Sequence, residues 1–422
     1  MLTSIVGINW GDEGKGRMVD LLSQRYNVIC RYQGGNNAGH TVINDKGKFI
    51  LNLLPSGILR DTTVNVMGNG MVIDLEHLVG EMGRLTEKGI RITPENLKIS
   101  DRAIICMPYH KLLDNLEEDR LADKKFGSTR RGIAPVYADK YMKKGLRMAD
   151  LLIPRERLAE KVRDIVEWKN ITVRGYGHDP IDPEEMLAWL ETYGAPLRPF
   201  VTDVSAYLHG AIEAGENVLF EAQLGALRDI DFGIYPYTSS STTLAAYAPI
   251  GAGIPGARLD SIVGIMKAYS TCVGEGPFTA ELFGEEGEAL RKAGGEYGAA
   301  TGRPRRVGPF DIPASRFGVR AQGATEIALT KLDVLSYLKE IPVCVAYEID
   351  GEKTTEFPTG DRLDRAKPVV EYLPGFGDVS ACRTWDELPQ AAKDYVEALE
   401  KAVGCPIRYV SVGAGRDEYI ER

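Results

Sequence analysis

The chain has no long uninterrupted apolar run, no basic leader and no cleavage-like site at its N-terminus. Nothing therefore directs it to export or into a bilayer, and the cytoplasm is the expected compartment. Its six cysteines (Cys30, Cys106, Cys272, Cys344, Cys382 and Cys405) are scattered, without a C-x-x-C pair or a histidine at ligand spacing. That pattern argues against a disulfide framework and against a structural zinc site. Positive charge is in deficit, with 51 lysines and arginines against 60 acidic residues for a net charge of -9. A surface of that average sign repels a phosphate backbone, which argues against nonspecific nucleic-acid binding; an anionic small substrate needs a local basic pocket instead. Histidine is rare, five in 422 residues, and no internal repeat or low-complexity linker interrupts the chain.

What is present is the composition of a globular enzyme, 44% apolar and 26% charged, enough to bury a large core. Short apolar, partly β-branched runs predict buried strands over Ser4–Ile8, Val28–Arg31, Val64–Met67, Val218–Phe220, Ile262–Met266, Ile327–Leu329, Val343–Val345 and Ile407–Val412. Amphipathic spacing predicts helices over Arg17–Arg25, Leu75–Lys88, Arg155–Trp168, Glu184–Glu191, Val204–Ala214, Ala314–Arg320 and Leu388–Val403. The alternation predicts an α/β fold with a large, mainly parallel central sheet flanked by helices. Residues 1–422 are read as one domain, in which 101–203, richer in helical pattern and charge, form a helical insertion. Glycine-rich loops follow several predicted strands, where open α/β sheets place their ligands.

The first such loop is Gly7-Ile-Asn-Trp-Gly-Asp-Glu-Gly-Lys-Gly16. Its backbone amides and the following helix N-terminus suit a phosphate, Lys15 balances the charge, and Asp12 suits Mg2+ or a proton. The placement is P-loop-like, but the loop is not a Walker A sequence, because Gly16 stands where Ser or Thr is required. A tight turn with an exposed ion pair is the competing reading. The second loop, Tyr32 to Thr41, sets His40 among glycines and amides. A lone histidine is commonly a structural hydrogen-bonder; here glycines let the backbone approach a ligand, and Asp12 with His40 would make a base and acid pair. Thr-Lys-Leu-Asp at 330–333 ends a predicted strand. Asp333 there can accept from guanine N1 and N2 while the Lys331 stem packs along the ring, with a surface salt bridge as the alternative. Thr301 to Arg306 concentrates three arginines, a costly arrangement unless it meets anions or lies in solvent.

In order along the chain, GDEGKG at 11–16, NAGHT at 37–41, LPSGIL at 54–59, GSTRRGIAP at 127–135, DIDFGIYPY at 229–237, TGRPRR at 301–306, LTKLD at 329–333 and SVGAGR at 411–416 resemble adenylosuccinate synthetase. The resemblance covers essentially the whole chain and implies a P-loop-like GTP-binding architecture and a two-step, GTP-dependent ligation. Asp12 removes the N1 proton of IMP so that O6 attacks the γ-phosphate of GTP, giving 6-phosphoryl-IMP. His40 donates to that phosphoryl group and Lys15 offsets its charge; the amine of L-aspartate then displaces phosphate from carbon 6. The resemblance further implies Gln223 beside the purine O6, and GTP binding by Gly11, Glu13, Gly14, Gly16, Arg305, Lys331, Asp333, Ser411 and Gly413. It implies substrate binding by Asn37, Thr129, Lys143, Thr242, Val273, Thr301 and Arg303. Mg2+ is implied on Asp12 and the Gly39 carbonyl, with phosphate oxygens completing its shell. A homodimer is implied, with Lys143 crossing to the partner's nucleotide; neither nucleic acid nor membrane is an expected partner.

Departures from the family pattern gather on the acceptor and aspartate side. Asn36 replaces a histidine, Arg130 and Ala134 replace glycines, Ala300 replaces a threonine, Pro304 breaks the arginine run, and Lys143 replaces an arginine. The usual F-E-G-A-Q-G reads Phe220-Glu-Ala-Gln-Leu-Gly225, so the purine-facing glutamine is either displaced to Gln223 or lost to Leu224. Two other readings remain. One is a paralogue acting on another purine monophosphate such as dGMP, or with another amine donor. The other is a silent GTP-binding regulator, which the joint retention of Asp12, Lys15, Gly39 and His40 disfavours, since a binder needs neither acid nor base.

Overall fold

In the computed structural model, which describes residues 1–44, 47–124, 126–298, 302 and 304–422, the predicted apolar runs, all but Val343–Val345, become strands of a ten-stranded sheet. In chain order these are β1 (Leu2–Gly7), β2 (Val28–Arg31), β3 (Val64–Met67), β4 (Leu97–Ser100), β5 (Val201–Thr202), β6 (Val218–Gly225), β7 (Ser261–Lys267), β8 (Glu326–Thr330), β9 (Ile407–Ser411) and β10 (Tyr419–Glu421). The spatial order is β10-β9-β8-β7-β1-β6-β2-β3-β4-β5. Neighbours run parallel, except that β10 is antiparallel to β9. β1, between β7 and β6, is buried at every residue, which is why its sequence is continuously apolar or small rather than alternating.

Helices cover the sheet: α1 (Lys15–Leu22), α2 (Leu75–Glu87), α3 (Pro108–Leu121), α4 (Ile133–Met142), α5 (Arg155–Gly175), α6 (Pro183–Gly194), α7 (Val204–Glu213), α8 (Gly284–Gly294), α9 (Ile312–Gln322) and α10 (Gln390–Val403). Several start at an aspartate that accepts from a first-turn amide, Asp74 from His77 at 3.2 Å and Asp311 from Ala314 at 3.0 Å, satisfying donors the helix cannot. Between β4 and β5 the chain leaves the sheet and builds α3 to α6. Leu158, Val162 and Leu187 of that stretch share one buried core with Leu75, Leu78 and Ile99. Among the described residues no helix is long and apolar enough to cross a membrane.

Val343–Val345 is a strand, as its composition predicts, but lies outside the main sheet. It belongs to Glu340–Ile349, which pairs antiparallel with Lys367–Pro374 and Glu352–Thr354. Its exposed positions at Glu340 and Glu348 mark a sheet with one wet face. A hairpin of His40–Asn44 with Gly47–Leu51, absent from the predicted elements, follows β2. Parallel pairing gathers the loops after β1, β2, β6, β8 and β9 at one edge of the sheet, where both glycine loops emerge.

Candidate active site

The loop from β1 to α1 turns through left-handed backbone at Gly11, Asp12 and Gly14 (φ 102°, 60° and 102°). Positive φ at a carboxylate-bearing residue stores strain of the kind found at functional sites. The loop is folded around Glu13, which is 3% exposed. Its Oε1 accepts from the amides of Asn9 at 3.1 Å and Gly11 at 2.8 Å, and its Oε2 accepts from Lys15 Nζ at 2.8 Å. Glu13, expected among the GTP-binding residues, is thus turned inward, taking the N–H groups the bend would otherwise orphan. The Thr330 hydroxyl at the end of β8 donates to the Glu13 carbonyl at 2.8 Å, tying the Thr-Lys-Leu-Asp segment to the same turn.

The second loop meets the first at Gly16, where a side-chain carbon would lie 2.6 Å from His40 Cδ2; only glycine lets the imidazole lie over α1. The His40 side chain is 21% exposed, with Nε2 2.8 Å from Ser56 Oγ and 3.3 Å from Glu221 Oε1. Burial pushes its pKa down to about 4, against the opposing charge of Glu221. Neither Glu221 nor Ser56 was singled out from sequence. Gln223, expected beside the purine, lies at the end of β6 against the second loop. Its amide, buried, donates to the carbonyls of Gly35 at 3.0 Å and Ala38 at 3.3 Å and accepts from the Gly35 amide at 3.1 Å. With those bonds made it clamps the second loop to β6. The next residue, Leu224, is held at φ 64° against Gly11. Asn37 Oδ1 accepts from the Gly35 amide at 3.3 Å, and Asn36 donates to Asp74 at 2.8 Å, inside the fold. Gly39 is exposed.

Arg305 reaches the first loop. Its Nη2 lies 3.0 Å from Asp12 Oδ2 and its Nη1 2.8 Å from Glu296 Oε2. Glu296, fully buried, also meets Lys267 at 2.9 Å, Lys331 at 2.6 Å and the Tyr269 hydroxyl at 2.5 Å. Burial pushes this carboxyl up, but the Lys267 and Lys331 ammonium groups outweigh it and hold it well below the usual range. Lys331, expected beside guanine, has its ammonium pinned by Glu296 and the Gly294 carbonyl. Asp333 is the reverse case: its Oδ1 is buried without a hydrogen-bond partner, and burial raises its pKa. An orphaned buried acceptor is uncommon in a fold and marks a place where a ligand donor can bind. Ser411 and the Gly413 carbonyl both receive Arg17 Nη1, at 2.5 and 2.6 Å, a contact across the chain that no spacing revealed.

Farther along the chain, Phe126 packs edge-on against Tyr237 and Gly127 lies against Glu275. This brings the segment of Thr129, which is exposed, toward those of half-buried Thr242 and exposed Val273. Lys143, with left-handed backbone at the end of α4, lines a basic cavity of about 280 Å³ with Arg102, Lys140, Arg147 and Lys161. Thr301, Arg303 and Ala300 lie outside the described residues.

Architecture and site together define an α/β enzyme that binds its ligands at the carboxyl edge of a parallel sheet, with a carboxylate, a lysine and an imidazole arrayed around two glycine loops. A family model described as adenylosuccinate synthetase matches residues 4–420, and the chain belongs to the adenylosuccinate synthetase family, ligases that form a carbon–nitrogen bond. It is 47% identical over 422 residues to an adenylosuccinate synthetase of Mycobacterium marinum, covering 99% of this chain and 97% of the relative. Identity is 46% over 418 residues to that of Lactococcus lactis subsp. lactis, with 98% and 96% covered. The fully ligated adenylosuccinate synthetase structure from Plasmodium falciparum superposes with a TM-score of 0.93 at 36% identity, covering 100% and 99% of the two chains. The succinoaminodeoxyadenylate synthetase of cyanophage S-2L shares the fold, with a TM-score of 0.63 at 19% identity over 100% and 95% of the chains.

Proposed function

We propose that the protein catalyses the GTP-dependent ligation of L-aspartate to IMP, through 6-phosphoryl-IMP, releasing adenylosuccinate, GDP and phosphate. The observation that carries this reading is the contact of the two glycine loops at Gly16 and His40, which sets an imidazole beside the turn that bears Asp12 and Lys15. Asp12, ion-paired to Arg305, takes the N1 proton as O6 attacks the γ-phosphate; His40 donates to the transferring group, and Lys15 and Arg305 offset its charge. Phosphorylation turns a poor leaving group on carbon 6 into a good one, which is why a nucleoside triphosphate is consumed. The orphaned Asp333 Oδ1 supports guanine as its base, since guanine N1 and N2 donate where adenine offers no matching pair. Ser411 and Gly413 border the same pocket. Gln223 serves as a positioning residue for the second loop, and Leu224 puts an apolar wall where the acceptor lies.

Among the described residues no three His, Cys, Asp or Glu side chains gather as a metal site. A magnesium ion would be held by the Asp12 carboxylate, the Gly39 carbonyl and substrate phosphates, and would supply charge neutralisation when bound. Thr129 and Thr242 hold the acceptor phosphate with hydroxyls, and Lys143 meets the partner subunit's nucleotide in a homodimer.

The test is a substrate panel. Purified protein with Mg2+, GTP, aspartate and IMP gives the absorbance rise of a 6-amino-substituted purine, and Asp12→Asn abolishes it while GTP still binds. Product with dGMP or another purine monophosphate but none with IMP moves the assignment to the paralogue; GTP binding without any product leaves the silent regulator.

A further inference from the structure

Glu221 is a buried carboxylate that no lysine or arginine approaches within ion-pair distance among the described residues; its side chain is 2% exposed. The buried Arg31 guanidinium lies near enough to interact with it electrostatically, but donates instead to the Asn52 carbonyl. Burying such a group costs several kcal/mol unless its lone pairs are used. They are used on a single target. Ser56 gives its amide to Oε2 at 2.8 Å and its hydroxyl to Oε1 at 2.7 Å, and Oε1 also faces His40 Nε2 at 3.3 Å.

The proton positions follow from this arrangement. The Ser56 amide donates to Oε2 and the Ser56 hydroxyl donates its hydrogen to Oε1. The Ser56 oxygen, 2.8 Å from His40 Nε2, then has only lone pairs to offer the ring, and Nε2 must carry the hydrogen. Nδ1 is left without a partner among the described residues, and it is not among the buried unpaired atoms. The two anchoring residues are 165 positions apart in the chain; the amide bond also satisfies the first N–H of the short helical turn Ser56–Leu59, whereas the hydroxyl bond and the approach to His40 serve neither helix nor sheet.

We propose that Glu221 and Ser56 are positioning residues for His40: together they anchor Nε2–H in the free protein, aim the Nδ1 edge at the transferring phosphoryl group, and support the imidazolium form, protonated at Nδ1 once the anionic substrates are bound, in which that edge donates. The inference rests on the ligase reading for its catalytic meaning, but the tautomer itself is a property of the free protein. A ring held by two partners on one edge keeps its aim while substrates come and go, the role outer partners have for reactive imidazoles elsewhere.

The experiment uses full-length protein labelled with 15N-histidine, the His40 signals identified by their loss in His40→Asn, at a pH where the ring is neutral. In the unsubstituted protein Nε2 shows the shift of an N–H nitrogen. In Glu221→Gln, the new amide donates to Ser56 Oγ, the hydroxyl turns to Nε2, and the proton moves to Nδ1, so the two nitrogen shifts exchange. In the same variant kcat falls about 10- to 100-fold while KM for GTP stays within about twofold; Ser56→Ala lowers kcat less and leaves Nε2 protonated. Unprotonated Nε2 in the unsubstituted protein, or Glu221→Gln with unchanged shifts and kcat, overturns the proposal. An equal loss of kcat and thermal stability in both variants, with the tautomer unaltered, also overturns it by reducing the pair to a structural role. Absence of ligase turnover in the unsubstituted protein would sink the functional reading alone, since the spectra would still decide the positioning.

Discussion

His40 and His110 each set Nε2 at 2.8 Å from an oxygen that leads to a buried carboxylate, yet their surroundings differ in what is left over. His110, in α3, is fully buried; its Nε2 meets Asp139 of α4, its Nδ1 accepts from the Met107 amide at 2.9 Å, and Lys169 of α5 meets the other Asp139 oxygen at 2.5 Å. Every hydrogen-bonding site of that ring is used and the carboxylate has its cation. His40 has one nitrogen anchored and the other without a partner among the described residues, at the meeting point of two glycine loops. Saturation, rather than burial or the nearby acid, separates the histidine that ties three helices together from the one available to a substrate.

The comparison can be broken from either side. The largest effect is expected at His40: His40→Asn should lower kcat by about 10²- to 10⁴-fold with little change in melting temperature, and near-normal turnover would return this ring to the structural class. At the other pair the effect is on stability. Asp139→Asn leaves Lys169 buried without its anion, and denaturant unfolding should register a loss of about 3–5 kcal/mol, with turnover per folded molecule unchanged. A stability loss under about 1 kcal/mol would mean that water reaches Lys169.

A carboxylate with no cation partner among the described residues sharpens the contrast. Asp311 is fully buried, bonded by the Tyr347 hydroxyl at 2.7 Å and the Ala314 amide, and burial raises its pKa to about 6 from 3.8. A raised carboxyl pKa means that the folded state holds the proton more tightly than the unfolded chain. Its stabilising contribution is therefore complete below 3.8 and lost as pH rises through 6. Relative to Asp311→Asn, the unsubstituted protein should lose up to about 3 kcal/mol, at 1.36 kcal/mol per pKa unit, across that window and nothing further above it. Parallel stability–pH curves would show that the group titrates normally.

Local pattern carried most of the main sheet. β2 and β3 fall where continuous apolar runs predict them, and α2 within one residue of its amphipathic span, because buried parallel strands and capped helices write their environment into adjacent residues. The Glu340–Ile349 strand could not be assigned to its sheet, since a β-branched run reads alike in both. The two glycine loops were legible as ligand-facing, but the directions of their side chains were not. Glu13 and Gln223 look like ligand contacts in sequence and are spent on backbone amides and carbonyls; Glu221 and Ser56 look ordinary and meet only through folding. Arg17 likewise reaches Ser411 and Gly413 over 394 and 396 residues.

Glu296 joins the Lys331 ammonium, beside the proposed guanine pocket, to the Arg305 guanidinium that holds Asp12. Base preference and turnover thus share a tether, and substitutions at positions 331 and 305 should be strongly epistatic, since each resets the charge its neighbour answers to. An evolutionary path toward a different triphosphate would have to rewire this junction before, or together with, the residues that touch the base.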